Sequence, residues 1–296
     1  MDIKKITKKQ HYVPQVYLRG FSDDKKHLWS YRLNSSLEGK MVPIESVCRK
    51  HFLYEVRGNN GEIVTPNWIE RVLSELEKMF ASYLRMLEAK AFHKENYKTK
   101  CFLRNDEKIF WKVYAAVQMM RSPEVINVAH STAKELLGEI LNDSEAYTAA
   151  ITQCLPFFTV LNQDSRNVFL SFLQPLNNMS IAIGVDKQET IFTSDDPVYC
   201  YSSQREIVKI TEYDKVILPL TPKLVLLLFG NKEKKEYDKN RLFPLEQENK
   251  EDIKKSIAYC AQSWIFSKRE LSSDDKEIIR QVRIDKQEDK NMLNEQ

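Results

Sequence analysis

The spacing of apolar residues changes at about Met179, and this change constrains the fold more than any other feature of the sequence. Before Met179, apolar residues recur every three or four positions over long stretches, which is typical of amphipathic helices. After it come the short segments MSIAIGV, ETIFTS, PVYCY, EIVKI, KVILPL and LVLLLFG, which are rich in β-branched and aromatic residues and are bounded by polar turns. Such segments are typical of the strands of one sheet. The sequence therefore predicts an α+β fold.

The helical part of the sequence carries recognisable start signals. Thr65 and Pro66 suit the cap and the first residue of a long helix, and Ser122–Pro123 suits the start of another. Four helices are predicted. The first begins at Thr65–Pro66, and the second extends from about Asp106 to Arg121. The third follows Ser122–Pro123 and has an apolar stripe that reaches Leu136, Leu137 and Ile140, and the fourth covers about Ser144 to Leu173 with an interruption near Pro156.

These elements predict one domain. We expect a single α+β domain over residues 1–267, in which a central helical bundle packs on a mostly antiparallel sheet formed largely by the second half. The helical part covers about 65–175, the sheet part about 178–230 and a closing helix about 248–266. Residues 268–296 alternate acidic and basic side chains and are expected to form a solvated charged helix or a tail.

The composition excludes several classes of protein. The net charge is only +3, from 45 basic and 42 acidic residues, so the chain as a whole gives no electrostatic argument for nucleic acid. Neither a P-loop nor a dinucleotide-binding glycine motif occurs. The five cysteines are scattered and form no CxxC pair, which favours free thiols in a reducing compartment. Because no apolar run reaches the roughly 18 residues of a membrane span, we expect a cytoplasmic protein without membrane contact.

Arg121 does not fit its surroundings in the sequence. It falls on the apolar stripe of its predicted helix, where an unpaired guanidinium would be costly, so a carboxylate or an anionic ligand should meet it. Glu70 and Glu77 lie one helical repeat apart at the border of another apolar stripe and could face the same partner. The candidate carboxylates for Arg121 are Asp195, Asp196 and Glu70. The alternatives are a structural ion pair, or an arginine that reaches solvent at the helix end, with both glutamates exposed.

Two further motifs carry polar groups next to apolar residues. Ser194, Asp195 and Asp196 follow a predicted strand, where a rigid sheet would hold them at its rim for chemistry, although the same residues also suit a turn before a proline. His11 stands among aromatic residues, whose density predicts that the N-terminal motif is ordered and packs against the middle helices. His11 could act as a general base, contact nucleic acid or serve as a buried structural histidine. We expect His11 and Asp195 to share one cleft, because a carboxylate can fix the imidazole tautomer.

The motifs together resemble a known family. KKQHYVPQVYLRGFSD, LWSYRL, the CRKHFLYE segment, the helix ending in QMMRSP, FTSDDP and ILPLTPK occur in the order of the uncharacterised bacterial family called domain of unknown function 4238. The resemblance extends to about Ser267. The family usually has Asn where Asp196 stands, which puts an amide-dependent role at that position in doubt. The resemblance implies that Gln10, His11, Tyr12, Pro14 and Arg19 belong to a family signature that packs into the site, and it implies no reaction.

Two functions are compatible with these residues. In the first, the chain is a phosphoester-cleaving, nuclease-like hydrolase of a bacterial defence or toxin system, acting on a nucleic acid or nucleotide, and a divalent cation such as Mg²⁺ could take part. Its catalytic residues would be His11, Arg121 and Asp195, and its binding residues Gln10, Tyr12, Arg19, Glu70, Ser194 and Asp196. In the second, the chain is a non-catalytic module that binds a ligand or a protein partner, and these residues form a structural polar network.

Overall fold

The strands form two sheets and a separate two-stranded pair in the computed structural model, which describes residues 6–93, 102–155, 168–201, 214–230 and 241–294. β1 (Lys9–His11) pairs with β4 (Arg49–His51). The first sheet contains β2 (His27–Arg32), β3 (Lys40–Pro43), β6 (Thr193–Ser194) and β11 (Trp264–Ser267), in the order β3-β2-β11-β6. The second contains β5 (Ser180–Val185), β7 (Tyr199–Tyr201), β8 (Lys215–Thr221), β9 (Leu224–Phe229) and β10 (Arg241–Pro244), in the order β10-β5-β9-β8-β7. β10 runs parallel to β5, and the other pairings of these strands are antiparallel.

The helices occupy the middle and the end of the chain. They are α1 (Gln15–Leu18), α2 (Trp68–Phe92), α3 (Asn105–Met120), α4 (Pro123–Leu137), α5 (Asp143–Cys154), α6 (Val168–Asn178), α7 (Gln247–Cys260) and α8 (Ser273–Asn294). The α+β class with mostly antiparallel sheets is confirmed. None of the helices in the described part of the chain combines the length and the apolar composition needed to cross a bilayer.

The N-terminal motif packs into the core, as the sequence predicts. Val13, Tyr17 and Phe21 are fully buried. The Tyr17 hydroxyl donates to the Pro219 carbonyl at 2.7 Å and lies 2.7 Å from Thr193 Oγ1. A buried phenol needs such partners, so these contacts tie the start of the chain to both β8 and β6.

The two predicted helix starts differ in outcome. α4 begins as expected, because Ser122 caps it by accepting a hydrogen bond from the Glu124 N–H at 3.3 Å. The prediction that a helix begins at Thr65–Pro66 is wrong, since α2 begins at Trp68 after Asn67, which adopts a left-handed conformation with φ 57°. The N–H of Asn67 donates to the buried Glu55 carboxylate at 3.1 Å, so a distant side chain fixes this helix start.

Several other predictions need correction. The predicted closing helix over 248–266 ends at Cys260, and the apolar run that follows is strand β11, inserted between β2 and β6. The segments after Met179 do not form one sheet, because β6 leaves its neighbours and joins the first sheet. The predicted strand EIVKI and the interruption near Pro156 lie outside the described residues.

Two amphipathic patterns also mislead. The charged segment after residue 267 contains α8, which is not merely solvated: Ile279 and Val282 are buried, and Asp275 accepts a hydrogen bond from Lys254 on α7 at 2.6 Å. Conversely, the predicted apolar stripe of α4 does not stay in the core, since Leu136 is 74 % exposed and Ile140 beyond the helix end is 78 % exposed. Spacing gives an apolar face, and only tertiary packing decides whether that face is covered.

Candidate functional site

The predicted site residues lie in three places in the structure. The first is a buried polar cluster, which we call the Arg121 network and which contains Gln10, Glu70, Arg121 and the main chain of His11. The second is an open cleft lined by Tyr12 and Asp195, with Ser194 and Asp196 adjacent in the chain, and the third is a separate groove that contains Arg19.

Arg121 is the centre of the Arg121 network and is only 2 % exposed. Its Nη2 donates to the His11 carbonyl at 2.6 Å, its Nη1 donates to Glu77 Oε1 at 3.3 Å, and its Nε donates to the Tyr54 hydroxyl at 3.3 Å. The Tyr54 hydroxyl in turn donates to the Arg121 carbonyl at 3.0 Å. A carboxylate does meet Arg121, as expected, but it is Glu77 and none of the three candidate carboxylates that the sequence suggested. These bonds hold β1, α2 and the end of α3 together.

A buried amide and carboxylate pair extends the network. Gln10 and Glu55 are both fully buried. Gln10 Nε2 donates to Glu55 Oε1 at 2.6 Å, while Gln10 Oε1 accepts the Tyr54 N–H at 2.7 Å. Sequence reasoning missed Tyr54 and Glu55, although a glutamate within the apolar segment FLYEV is the same kind of anomaly as Arg121.

Glu70 is the least satisfied member of the network. Its Oε2 is buried and has no hydrogen-bond partner among the residues that the structure describes, and the same is true of the Tyr114 hydroxyl and of Gln118 Oε1. Burial raises the pKa of Glu70 to about 7, with Glu77 and Glu55 adding to the rise and Arg121 opposing it. The raised pKa favours the neutral form of the Glu70 carboxyl, in which a buried position costs less than it does for the charged form.

The His11 side chain does not point to the predicted partner. Its Nε2 lies 3.3 Å from the Glu45 carbonyl and 3.4 Å from Gln15 Nε2, and no carboxylate of the described chain hydrogen-bonds to it. Burial lowers the pKa of His11, and the positive charges of Arg49 and Arg121 lower it further, whereas the Glu45 carbonyl opposes the shift. The expected pairing of His11 with Asp195 is not present, because the His11 ring contacts Glu45 and Gln15. The Asp195 carboxylate is bonded to backbone N–H groups of a different segment.

The open cleft has a volume of about 570 Å³ and runs along α4. One wall is a stripe of α4 at helical spacing: Glu124, Asn127, Val128, Ser131, Thr132 and Glu135. The other wall is Tyr12, Lys50, Asp195, Gln262 and Ser263. We call this the Tyr12–Asp195 cleft. It joins residues that are 183 positions apart in the chain, and Lys50, Ser122 and Gln262 come from segments that the sequence did not connect with it.

Asp195 is held rigidly at the edge of this cleft. It is 5 % exposed, its Oδ1 accepts the Gln262 N–H and its Oδ2 accepts the Ser263 N–H, each at 2.9 Å. Burial raises the pKa of Asp195, and these backbone N–H groups oppose the shift. A carboxylate with two oxygens accepts up to about four hydrogen bonds, so each oxygen retains a lone pair for a ligand.

Tyr12 and Asp196 are the ionisable neighbours of Asp195. Burial raises the pKa of Tyr12, and the neighbouring Cys48 thiol and Asp195 carboxylate add to the rise. Asp196 Oδ2 accepts a hydrogen bond from Gln262 Nε2 at 3.4 Å, and burial, followed by the repulsion of Asp195 and Glu124, raises the pKa of Asp196 to about 6. Ser194 is fully buried and its hydroxyl donates to the Asp196 carbonyl at 2.7 Å, so Ser194 shapes the turn.

A family model matches residues 9–270 of the 296-residue chain. The chain belongs to this family, which is described as Protein of unknown function (DUF4238). Comparison with curated proteins and comparison with solved structures each gave no match. In this member of DUF4238, Tyr12, Lys50, Ser122 and Asp195 come from four of the segments that carry the resemblance, and all four line the Tyr12–Asp195 cleft.

The charges of the cleft are unbalanced toward acid. Glu124, Glu135 and Asp195 supply three carboxylates and Lys50 supplies one amine, so full ionisation leaves a net charge of about −2. Within the residues that the structure describes, no group of three or more His, Cys, Asp or Glu side chains is placed to hold a metal ion. The arrangement is suited to holding a positively charged group by hydrogen-bonded carboxylates.

Proposed function

We propose that the chain is a non-catalytic binding module and that the Tyr12–Asp195 cleft takes a basic segment of a partner protein. The observation that carries this proposal is the cleft itself, where segments distant in the chain assemble three carboxylates against one amine along one helix. Lysine and arginine side chains match this wall, because charge-assisted hydrogen bonds to carboxylates are the strongest of the ordinary polar contacts.

The shape of the cleft favours an extended segment. Glu124 and Glu135 are eleven residues apart on α4, which corresponds to about 16 Å at a helical rise of 1.5 Å per residue. An extended peptide advances about 3.3 Å per residue, so roughly five residues span the two glutamates. The exposed Val128 and the partly exposed Tyr12 offer apolar surface on which the methylene stems of lysine or arginine can lie.

The state of the predicted catalytic residues also supports binding over catalysis. All three guanidinium nitrogens of Arg121 donate hydrogen bonds within the protein. Among the described residues, no carboxylate hydrogen-bonds to the His11 ring to orient it. A phosphoester-cleaving effector of a defence or toxin system therefore stays a prediction. The four described cysteines are free thiols, which agrees with the predicted cytoplasmic setting.

The test is a binding measurement on the full chain with a fluorescein-labelled penta-arginine peptide, compared with a penta-glutamine peptide. We expect only the arginine peptide to bind. Glu135→Gln should lower its affinity about five- to tenfold, because the substitution removes one charged contact. Glu139→Gln, a matched change of an exposed glutamate outside the cleft, should alter the affinity less than about twofold. Equal binding of both peptides, or equal effects of the two substitutions, would overturn the proposal.

A parallel activity screen decides between this proposal and the hypothesis that the chain cleaves phosphoesters. The full chain is incubated with RNA, DNA and nucleotides, with and without Mg²⁺, beside a His11→Ala variant. The binding proposal expects no turnover above that of the variant. Cleavage by the parent chain that His11→Ala abolishes would replace the binding proposal with the nuclease hypothesis.

A further inference from the structure

A second concave surface lies away from the Tyr12–Asp195 cleft and has the opposite charge. It has a volume of about 460 Å³ and is bounded by the segment after α1, by α2 and by the turn between β8 and β9. Its charged side chains are Arg19, Lys25, Arg85, Lys223 and Lys268 against Glu88 and Glu189, five positive and two negative, which leaves a net charge of about +3. We call it the basic groove.

The positive charge of the basic groove is only partly neutralised within the protein. Glu189 forms ion pairs with Lys223 and Lys268 at 2.8 Å each. Lys268 also pairs with Asp23 at 3.2 Å, so these two amines are neutralised within the protein. Within the described chain, Arg19, Lys25 and Arg85 form no ion pair, and the Arg19 side chain donates one hydrogen bond, to Gln15 Oε1 at 3.1 Å. Lys25 and Arg85 thus retain all their donors for a ligand, and Arg19 retains most of its donors.

The backbone around the groove is fixed before any ligand arrives. Lys25 adopts a left-handed conformation with φ 60°, and the Asp24 carboxylate holds this turn by accepting the N–H groups of Lys26 and His27 at 2.7 Å each. Across the groove, Thr221 Oγ1 accepts the Lys223 N–H at 3.2 Å and fixes the β8–β9 turn. Preorganised donors lose little freedom on binding, which favours a specific site over a diffuse charged surface.

The groove also has an apolar part. Val16, Ala81, Leu84 and Pro222 line the same space as the cationic side chains, and we call these four residues the floor. A ligand that fits therefore needs two parts, a polyanionic group for the rim and a flat apolar group for the floor. The volume lies within the range of small-molecule sites, roughly 300–1,000 Å³.

We infer that the basic groove binds a nucleoside phosphate, with the phosphates against Arg19, Lys25 and Arg85 and the base on the apolar floor. Arginine forks match phosphate oxygens in pairs, and the two arginines come from separate elements that close on the same space. This inference is independent of the proposed basic partner segment, because the two surfaces have opposite charges and share no lining residue.

Calorimetric titration of the full chain with ATP, AMP and pyrophosphate tests the inference. ATP should bind most tightly, because AMP has the base but only one phosphate, whereas pyrophosphate has no base. High salt should weaken the binding of ATP. Arg85→Glu should lower the affinity for ATP about tenfold or more, and Lys25→Glu should also lower this affinity. The matched control is Arg71→Glu, an exposed arginine on the same helix outside the groove, which should change the affinity less than about twofold.

Several results would overturn the inference. They are the absence of ATP binding, pyrophosphate binding as tight as ATP binding, and an equal loss of affinity in Arg71→Glu and Arg85→Glu. Circular dichroism on each variant establishes that a lost signal is not a lost fold. A chain that binds ATP and fails to bind the arginine peptide would support this inference and refute only the proposed function.

Discussion

The Arg121 network and the Tyr12–Asp195 cleft are built from neighbouring positions of the same motifs, yet they differ in what they leave for a ligand. In the network, the guanidinium of Arg121 meets a carbonyl, a phenol and a carboxylate, and Gln10 is bonded through both ends of its amide. In the cleft, Asp195 accepts two backbone N–H groups and the glutamates of α4 face solvent. His11 and Tyr12 are adjacent in the chain, yet His11 contributes its carbonyl to the network and Tyr12 lines the cleft.

This difference shows that motifs converging in space need not form one reactive centre. Polar groups in apolar segments must find partners, and most of those at Arg121 find them within the protein. The cleft differs because its carboxylates outnumber its cations and its wall is open. We therefore assign stability to the network and binding to the cleft, and the following predictions separate the two assignments.

The largest effect is expected at the centre of the network. Arg121→Met should lower the free energy of unfolding by about 3–5 kcal/mol, because the change leaves the Glu77 carboxylate and the His11 carbonyl without their donor. Adding Glu77→Gln removes the stranded charge and should restore part of this loss. Urea denaturation of the single and double variants measures both. Arg71→Met, an exposed arginine on α2, serves as the control, and a similar loss there would contradict the assignment.

A smaller, pH-dependent effect is expected at Glu70. Its pKa is raised to about 7 in the folded chain from the ordinary 4.5, so the folded state binds more protons between these values and stability falls as the pH rises. The Glu70→Gln variant carries an uncharged amide at this position at every pH. Its free energy of unfolding should equal that of the parent near pH 4.5 and exceed it at pH 8 by on the order of 1–2 kcal/mol, allowing for solvent screening.

Denaturation at both pH values checks this prediction. Glu75→Gln on the same helix is the matched control, because Glu75 is 69 % exposed, and its effect should not change with pH. A stability difference between Glu70→Gln and the parent that is the same at both pH values would contradict the raised pKa.

The smallest stability effect is expected in the cleft. Glu124→Gln and Glu135→Gln together should change the free energy of unfolding by less than about 1 kcal/mol, since both side chains are exposed and only Glu124 lies in the first turn of α4. Thermal melting of the double variant measures this. A loss comparable to that of Arg121→Met would mean that the cleft is a structural element as well.

Local signals in the sequence predicted much of this molecule. Helical spacing gave α3, the Ser122–Pro123 pair gave the start of α4, and the aromatic density of the N-terminal motif predicted its burial. The anomaly of Arg121 in an apolar stripe correctly predicted a carboxylate partner. Each of these inferences depends on residues close together in the chain.

Long-range contacts account for the failures. The start of α2 depends on Glu55, twelve residues upstream, and β11 becomes a strand because β2 and β6 flank it. The cleft joins Tyr12 to Asp195, and only its family motifs suggested that meeting. The exposed stripe of α4 failed for the same reason: whether an apolar face is covered depends on elements that periodicity does not specify.

The central claim is that the network stabilises the fold while the cleft binds the ligand, and one comparison tests it most directly. The affinity of the penta-arginine peptide is measured for two variants, Arg121→Met/Glu77→Gln and Glu124→Gln/Glu135→Gln, each at a temperature where circular dichroism shows it folded. We predict that the network variant keeps the parent affinity within about twofold, whereas the cleft variant loses about tenfold or more. A folded network variant that loses the peptide, or a cleft variant that binds it like the parent, would contradict the account.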